Sequence, residues 1–150
     1  MYDLRPILLV NGVLLTTLGL AMLVPALVDL GSGNPDWLVF ATAAAVCVFI
    51  GMGFVLTNRR GRVATTGLSV PQAFLLTVTA WIVIAAFGAL PFTFSELNLN
   101  YTDAFFEAMS GVTTTGATVI VGLDHLPQSI LIYRQLLQWL GGIGIIVVAV

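Results

Sequence analysis

The charged residues of this chain lie in a few short clusters that separate long uncharged, apolar runs. The uncharged runs cover residues 6–28, 37–58, 63–95 and 135–150, and the most apolar part of the third run is 72–90. A helix rises about 1.5 Å per residue, so roughly 20 apolar residues span the hydrocarbon core of a bilayer. The sequence therefore predicts four membrane-spanning helices and an all-α membrane protein.

The composition excludes several other classes of protein. Only 8% of the residues are charged and 59% are hydrophobic, whereas soluble domains carry about 25% charged residues. The net charge is −2 and lysine is absent, so the chain lacks the basic surface of a nucleic-acid-binding protein. Cys47 is the single cysteine, which excludes an intrachain disulfide and a multi-thiolate metal site.

The first apolar run has two interpretations, a cleaved signal peptide or a retained helix. Its apolar stretch is longer than the usual 7–15 residues of a signal peptide, and Asp3 accompanies Arg5 at its start, which favours a retained helix. The final run is still apolar at Val150. We therefore expect this sequence to be the N-terminal portion of a longer protein.

The distribution of arginine predicts the orientation in the membrane. Arg59, Arg60 and Arg62 lie between the second and third runs, whereas the connection between the first two runs is acidic. Short loops rich in arginine stay in the cytoplasm. The N-terminus is therefore predicted to be cytoplasmic and residues 94–128 to lie outside.

Residues 102–111 are predicted to form a helix that is too short to cross a bilayer. Asp103 can cap its first turn, and Gly111 is a typical end signal. About ten residues rise roughly 15 Å, half of the hydrocarbon thickness. This helix therefore either lies on the surface or enters the membrane and returns.

A threonine- and glycine-rich stretch, residues 113–118, follows this short helix. Its four threonines oppose a continued helix, and Gly116 permits backbone conformations that other residues avoid. Extended backbone at membrane depth must be buried in protein or line a wet cavity, where its carbonyl oxygens can replace the hydration shell of an alkali cation. Composition alone leaves two interpretations open, a pore loop and an ordinary solvated outer loop.

Several long motifs resemble a known family. They are FFEAMSGVTTTGAT at 105–118, LPQSI at 126–130, RQLLQWLGGIGI at 134–145 and FGALPF at 87–92. These motifs closely resemble the TrkH-type subunits of bacterial potassium uptake systems, within the Trk/Ktr/HKT superfamily. The resemblance implies a pore of four linked repeats, each a helix, a pore loop and a second helix, preceded by two additional helices.

The resemblance also implies a division of the chain into two parts. Residues 1–70 correspond to the N-terminal transmembrane hairpin with its arginine-rich connection, and residues 71–150 to the first pore repeat. The parts of that repeat are an outer helix at 71–93, a pore helix at 102–111, a selectivity filter at 113–118 and a truncated second helix at 129–150.

By the same resemblance, Gly116 is the filter glycine of this repeat. Thr114 and Thr115 are expected to give oxygen atoms to K+, with Thr113 and Ala117 beside them. K+ is then the transported ion, and no organic cofactor is implied. In plant relatives a serine at the glycine position accompanies sodium permeation, so Gly116 favours potassium.

The implied partners are the three other pore repeats, a cytosolic nucleotide-binding regulatory subunit of the TrkA type, a second copy in a homodimer, and the lipid of the bacterial inner membrane. The sequence has no nucleophile–base set typical of an enzyme. The alternative function is a non-conducting membrane scaffold or assembly subunit, whose outer segment serves as a docking loop.

Polar residues and glycines within the apolar runs have structural interpretations. Arg134 either extends to the outer membrane interface or forms an ion pair with Glu107 or Asp124 that holds the pore loop. Polar side chains in the spans are expected to form hydrogen bonds between helices; they are Asn11, Gln135 and Gln138. Glycines in the last run are expected to let that helix approach its neighbours closely; they are Gly141, Gly142 and Gly144.

Overall fold

The computed structural model of this chain describes residues 4–58 and 69–149, and the regular structure in these ranges is entirely helical. The helices are α1 (Arg5–Ser32), α2 (Trp37–Asn58), α3 (Val70–Gly88), α4 (Leu90–Phe94), α5 (Tyr101–Val112) and α6 (Gln128–Ala149), with a 3₁₀ turn at Leu123–His125. Within these ranges, α1, α2 and the combined stretch Val70–Phe94 are long and apolar enough to cross a membrane. The predicted all-α membrane fold is confirmed.

Each of the three helix ranges predicted for the repeat has an observed counterpart. The ranges 71–93, 102–111 and 129–150 correspond to α3 with α4, to α5 and to α6. Arg59, Arg60 and Arg62, on which the predicted orientation rests, lie outside the described residues. The orientation and the division into a hairpin and a repeat therefore stay predictions.

Helices α1 and α2 form an antiparallel hairpin with their backbones in direct contact. A Cβ atom added to Gly12 would lie 2.8 Å from the carbonyl oxygen of Gly51, and one added to Gly51 would lie 2.7 Å from that of Gly12. Apolar burial gives little driving force between helices in lipid, so small residues that allow close packing stabilise such pairs. The hairpin turns at Gly33, which ends α1 with a φ of 76° and donates its N–H to the carbonyl of Asp29.

A polar contact joins this hairpin to α3. Asn11, which is 3% exposed, donates from Nδ2 to the hydroxyl of Thr79 over 3.0 Å. The predicted role of Asn11 as an interhelical hydrogen-bond donor is confirmed. A bond of this kind contributes about 0.6 kcal/mol in a membrane protein.

Tyr133 forms the centre of the core that holds α5 in place. Its side chain is fully buried, its ring centroid lies 5.4 Å from that of Phe40 and 5.2 Å from that of Phe92, and its hydroxyl donates to the carbonyl of Gly88 over 2.8 Å. A buried tyrosine needs such a partner for its hydroxyl. The core therefore ties α6 to α2 and to the end of the third span, and α5 packs between α3 and α6.

Candidate ion-binding site

The short helix α5 starts from an asparagine. The Asn100 side-chain oxygen accepts the backbone N–H of Asp103 over 2.9 Å, and the Asn100 amide donates to the Asp103 carboxylate over 2.6 Å. The prediction that Asp103 caps the helix is therefore wrong, because Asp103 lies three residues inside it as the partner of the cap. Its charge still lies at the positive end of the helix dipole.

At its other end, α5 continues through Gly111 to Val112. A Cβ atom on Gly111 would lie 3.1 Å from Cβ of Leu137 on α6, tighter than an ordinary contact. Gly111 was predicted to end the helix, and that prediction is wrong. The glycine instead lets α5 and α6 approach each other.

The close approach predicted for three glycines of α6 occurs at Gly141. An added Cβ would overlap with the carbonyl oxygen of Val112 and lie 2.7 Å from its carbonyl carbon. The same atom on Gly142 or Gly144 would meet no atom within 4 Å in the described structure. The α6 backbone therefore touches the last residue of α5 through Gly141.

Residues 113–116 form a turn that folds back onto the end of α5. The N–H of Thr113 donates to the carbonyl of Met109 over 2.9 Å. The N–H groups of Thr115 and Gly116 both donate to the carbonyl of Ser110, over 3.0 and 3.3 Å. We expected extended backbone from residue 113, but extended backbone cannot return these N–H groups to the helix end.

Two residues of this turn have a positive φ, 58° at Thr114 and 77° at Gly116. Glycine takes this conformation without cost, whereas a β-branched residue takes it only where the surroundings impose it. The N–H of Thr114 is held by the carbonyl of Gly111 over 2.9 Å. Hydrogen bonds to α5 therefore fix the shape of the turn.

The N–H groups of residues 113–116 are all hydrogen-bonded to α5, whereas their carbonyl groups are not. No hydrogen bond within the described part of the chain reaches any of these four carbonyl oxygens. Thr113 is half-buried and residues 114–116 are exposed in the described structure, so these carbonyl groups are candidates to bind a ligand. Unpaired carbonyl oxygens can replace the hydration shell of an alkali cation, and the negative end of the α5 dipole adds a favourable field.

Ala117 differs from the four residues before it. Its carbonyl oxygen accepts a hydrogen bond from the hydroxyl of Ser110 over 2.5 Å. Among the threonine hydroxyls, that of Thr113 donates to the carbonyl of Met109 over 2.7 Å and lies 2.9 Å from the hydroxyl of Thr115. The structure thus brings the predicted site residues together in one turn, with Ala117 fastened to the helix.

Glu107 connects three parts of the structure through its carboxylate. Oε1 accepts from Nε of Arg134 over 2.5 Å, and Oε2 accepts from the hydroxyl of Thr118 and the N–H of Val119 over 2.9 and 3.2 Å. The side chains of Glu107 and Arg134 are 1% and 12% exposed. Of the alternatives left open for Arg134, the structure shows the ion pair with Glu107, while Asp124 is exposed in the 3₁₀ turn.

Sequence reasoning missed two residues of this arrangement, Ser110 and Thr118. Both are hydroxyl residues whose partners lie seven and eleven positions away. Ser110 lies within the predicted pore helix, 102–111, and Thr118 is the last residue of the predicted filter, 113–118, but neither position indicated the hydrogen-bond partner.

Comparison with known proteins gives the family. A family model named TrkH and described as a cation transport protein matches residues 38–150. The chain belongs to the TrkH family. Two relatives are the Trk system potassium uptake protein TrkH of Vibrio parahaemolyticus, 47% identical over 97% of this chain, and TrkG of Escherichia coli K12, 38% identical over 93%.

A solved TrkH structure has the same fold. The crystal structure of the potassium transporter TrkH from Vibrio parahaemolyticus matches 99% of this chain with a TM-score of 0.88 and 44% identity. The chain spans about 30% of the length of the TrkH relatives it matches. The arrangement of helices around residues 113–117 is therefore a TrkH fold and not a feature of this chain alone.

Proposed function

We propose that this chain is part of a potassium transporter and that residues 113–117 form one wall of its ion path. The observation that carries the proposal is the set of four carbonyl oxygens at residues 113–116 that accept no hydrogen bond from the described residues, in a turn whose N–H groups are bound to α5. The names of the TrkH and TrkG relatives, potassium uptake proteins, support K+ as the ion.

The proposed mechanism replaces water around the ion with protein oxygens. A cation that leaves water loses its hydration shell, and carbonyl oxygens held at fixed positions compensate for that loss. Four carbonyls from one turn cannot surround an ion, so the proposal includes three further repeats that supply the remaining oxygens. The hydroxyls of Thr114 and Thr115 are candidates for additional ligands.

The charges near the turn are compatible with a cation. Residues 108–122 contain no basic side chain, and Arg134 is paired with Glu107. The negative end of α5 lies directly before the turn. Within the described part of the chain, a cation at residues 113–117 would therefore meet carbonyl dipoles, and the charge of Arg134 is already compensated.

The remaining parts of the proposal concern the whole protein. We propose that it lies in the bacterial inner membrane with a cytoplasmic N-terminus, that it works with a TrkA-type nucleotide-binding subunit, and that it forms a homodimer. These follow from the distribution of arginine and from the family resemblance.

The proposal predicts that Gly116→Ser lowers the preference for K+ over Na+ by about tenfold. A side chain at a φ of 77° costs about 1–2 kcal/mol, so the turn shifts and the neighbouring carbonyl oxygens move. The ratio of K+ to Na+ uptake, measured in proteoliposomes holding the transporter that contains this chain, tests the prediction.

Gly122→Ser is the matched control. Gly122 has nearly the same φ, 76°, but a Cβ there meets no atom within 4 Å, and it lies outside the turn. We expect this variant to keep the ratio of the unaltered protein. An unchanged ratio in active Gly116→Ser protein would contradict the assignment of the turn to the ion path. Absence of any K+ uptake by the unaltered protein would favour the non-conducting scaffold.

A further inference from the structure

The hydroxyl of Ser110 has an unusual partner for a helical serine. Serine and threonine hydroxyls within helices commonly donate to the carbonyl four residues earlier, as Thr16 does to Gly12 and Thr57 to Gly53 in this chain. The Ser110 hydroxyl instead donates to a carbonyl outside α5, that of Ala117, over 2.5 Å. Ser110 is 5% exposed, so water does not compete freely for this bond.

The carbonyl of Ser110 binds the same turn a second time. It accepts the N–H groups of Thr115 and Gly116, so Ser110 holds three consecutive residues of the turn through two of its own groups. The hydroxyl makes only one of these contacts, the hydrogen bond to the Ala117 carbonyl. A substitution of the side chain therefore releases Ala117 and leaves the backbone contacts possible.

The turn that Ser110 binds contains a strained backbone conformation. Thr114 has a φ of 58°, and a β-branched residue in this region persists only where neighbouring contacts determine it. Loss of the Ser110–Ala117 bond removes one of those contacts. The expected consequence is a turn whose carbonyl oxygens can move more widely.

We propose that Ser110 is a positioning residue that determines how strongly the turn discriminates K+ from the smaller Na+. This inference rests on the proposed function. Na+ requires the surrounding oxygens to come closer than K+ does, and oxygens held at fixed positions cannot follow it. A turn released from Ser110 follows the smaller ion, and the freed Ala117 carbonyl adds one more oxygen to the path.

The inference is tested with Ser110→Ala in the transporter that contains this chain. We expect the ratio of K+ to Na+ uptake in proteoliposomes to fall about fivefold, the size of effect of one neutral hydrogen bond. Ser110→Cys keeps a side chain of similar size with a weaker donor. Its ratio is expected to lie between those of the alanine variant and the unaltered protein.

Ser95→Ala is the matched control, because Ser95 is 5% exposed, as Ser110 is, and its hydroxyl has no hydrogen-bond partner in the described structure. We expect it to keep the ratio of the unaltered protein. An unchanged ratio in Ser110→Ala, with or without equal losses of K+ and Na+ uptake, would overturn the role of Ser110, and so would the same fall in Ser95→Ala. In both cases a K+-selective unaltered protein would leave the proposed function standing, whereas an unaltered protein without K+ uptake would contradict that function itself.

Discussion

Replacement of Glu107 by glutamine is expected to lower the free energy of unfolding by about 3–5 kcal/mol, because it leaves the guanidinium of Arg134 without its counter-charge in a buried position. The Arg134 side chain is 12% exposed, so water cannot take over the role of the carboxylate. The substitution also weakens the acceptor for the hydroxyl of Thr118 and the N–H of Val119. We expect a lower thermal unfolding temperature of the detergent-solubilised protein and reduced K+ uptake.

Two further variants separate this ion pair from a general effect of charge. Asp124→Asn removes an acidic residue that is exposed and is expected to change stability by no more than about 0.5 kcal/mol. Glu107→Gln combined with Arg134→Gln removes both charges together and is expected to recover much of the loss, because no buried charge is left unpaired. A single Glu107→Gln variant as stable as Asp124→Asn would contradict the structural role given to the pair.

The membrane spans were predictable from the sequence because the bilayer imposes a one-dimensional rule. A charge inside the hydrocarbon core is costly, so the spacing of charges located the three helices that are long and apolar enough to cross a membrane. It did not set every helix end, because α1 extends past Asp29 and α6 begins before Arg134. The second run, 37–58, coincides with α2 (Trp37–Asn58). The short helix α5 was predicted for a similar reason, since its apolar positions and flanking polar residues are local features.

The contacts that shape the turn were less predictable because they depend on how the helices pack. Asp103 and Asn100 are both good capping residues, and only the backbone conformation shows that Asn100 is the cap. Gly111 has the sequence signature of a helix end, but its role depends on Leu137 of α6.

The partner of Arg134 was likewise not predictable from the sequence alone. Asp124 is nearer in sequence than Glu107, yet α5 and α6 pack against each other and bring Glu107 to the arginine. Ser110 carried no signal of its own, because its partner Ala117 is reached only through the positive φ values of the turn. Local patterns therefore located the site, and tertiary packing decided its hydrogen bonds.

Gly141→Ala is expected to lower the free energy of unfolding by about 3 kcal/mol or more and to abolish K+ uptake. The added Cβ would overlap with the carbonyl oxygen of Val112, and Val112 is 1% exposed. Overpacking that side chains can relieve costs about 1–3 kcal/mol, but here the obstacle is backbone. Relief therefore requires α6 to move away from the end of α5, which carries the turn at residues 113–116.

The neighbouring glycine gives the control for this prediction. A Cβ on Gly142 meets no atom within 4 Å, so Gly142→Ala makes the same chemical change one residue further along α6 and is expected to alter stability by no more than about 0.5 kcal/mol. Thermal unfolding of both purified variants, followed by K+ uptake, measures the difference. The two positions differ mainly in their contact with Val112, so equal behaviour of the variants would mean that α6 does not pack against α5 at Gly141. A large difference would show that the contact between Gly141 and Val112 positions the turn at residues 113–116.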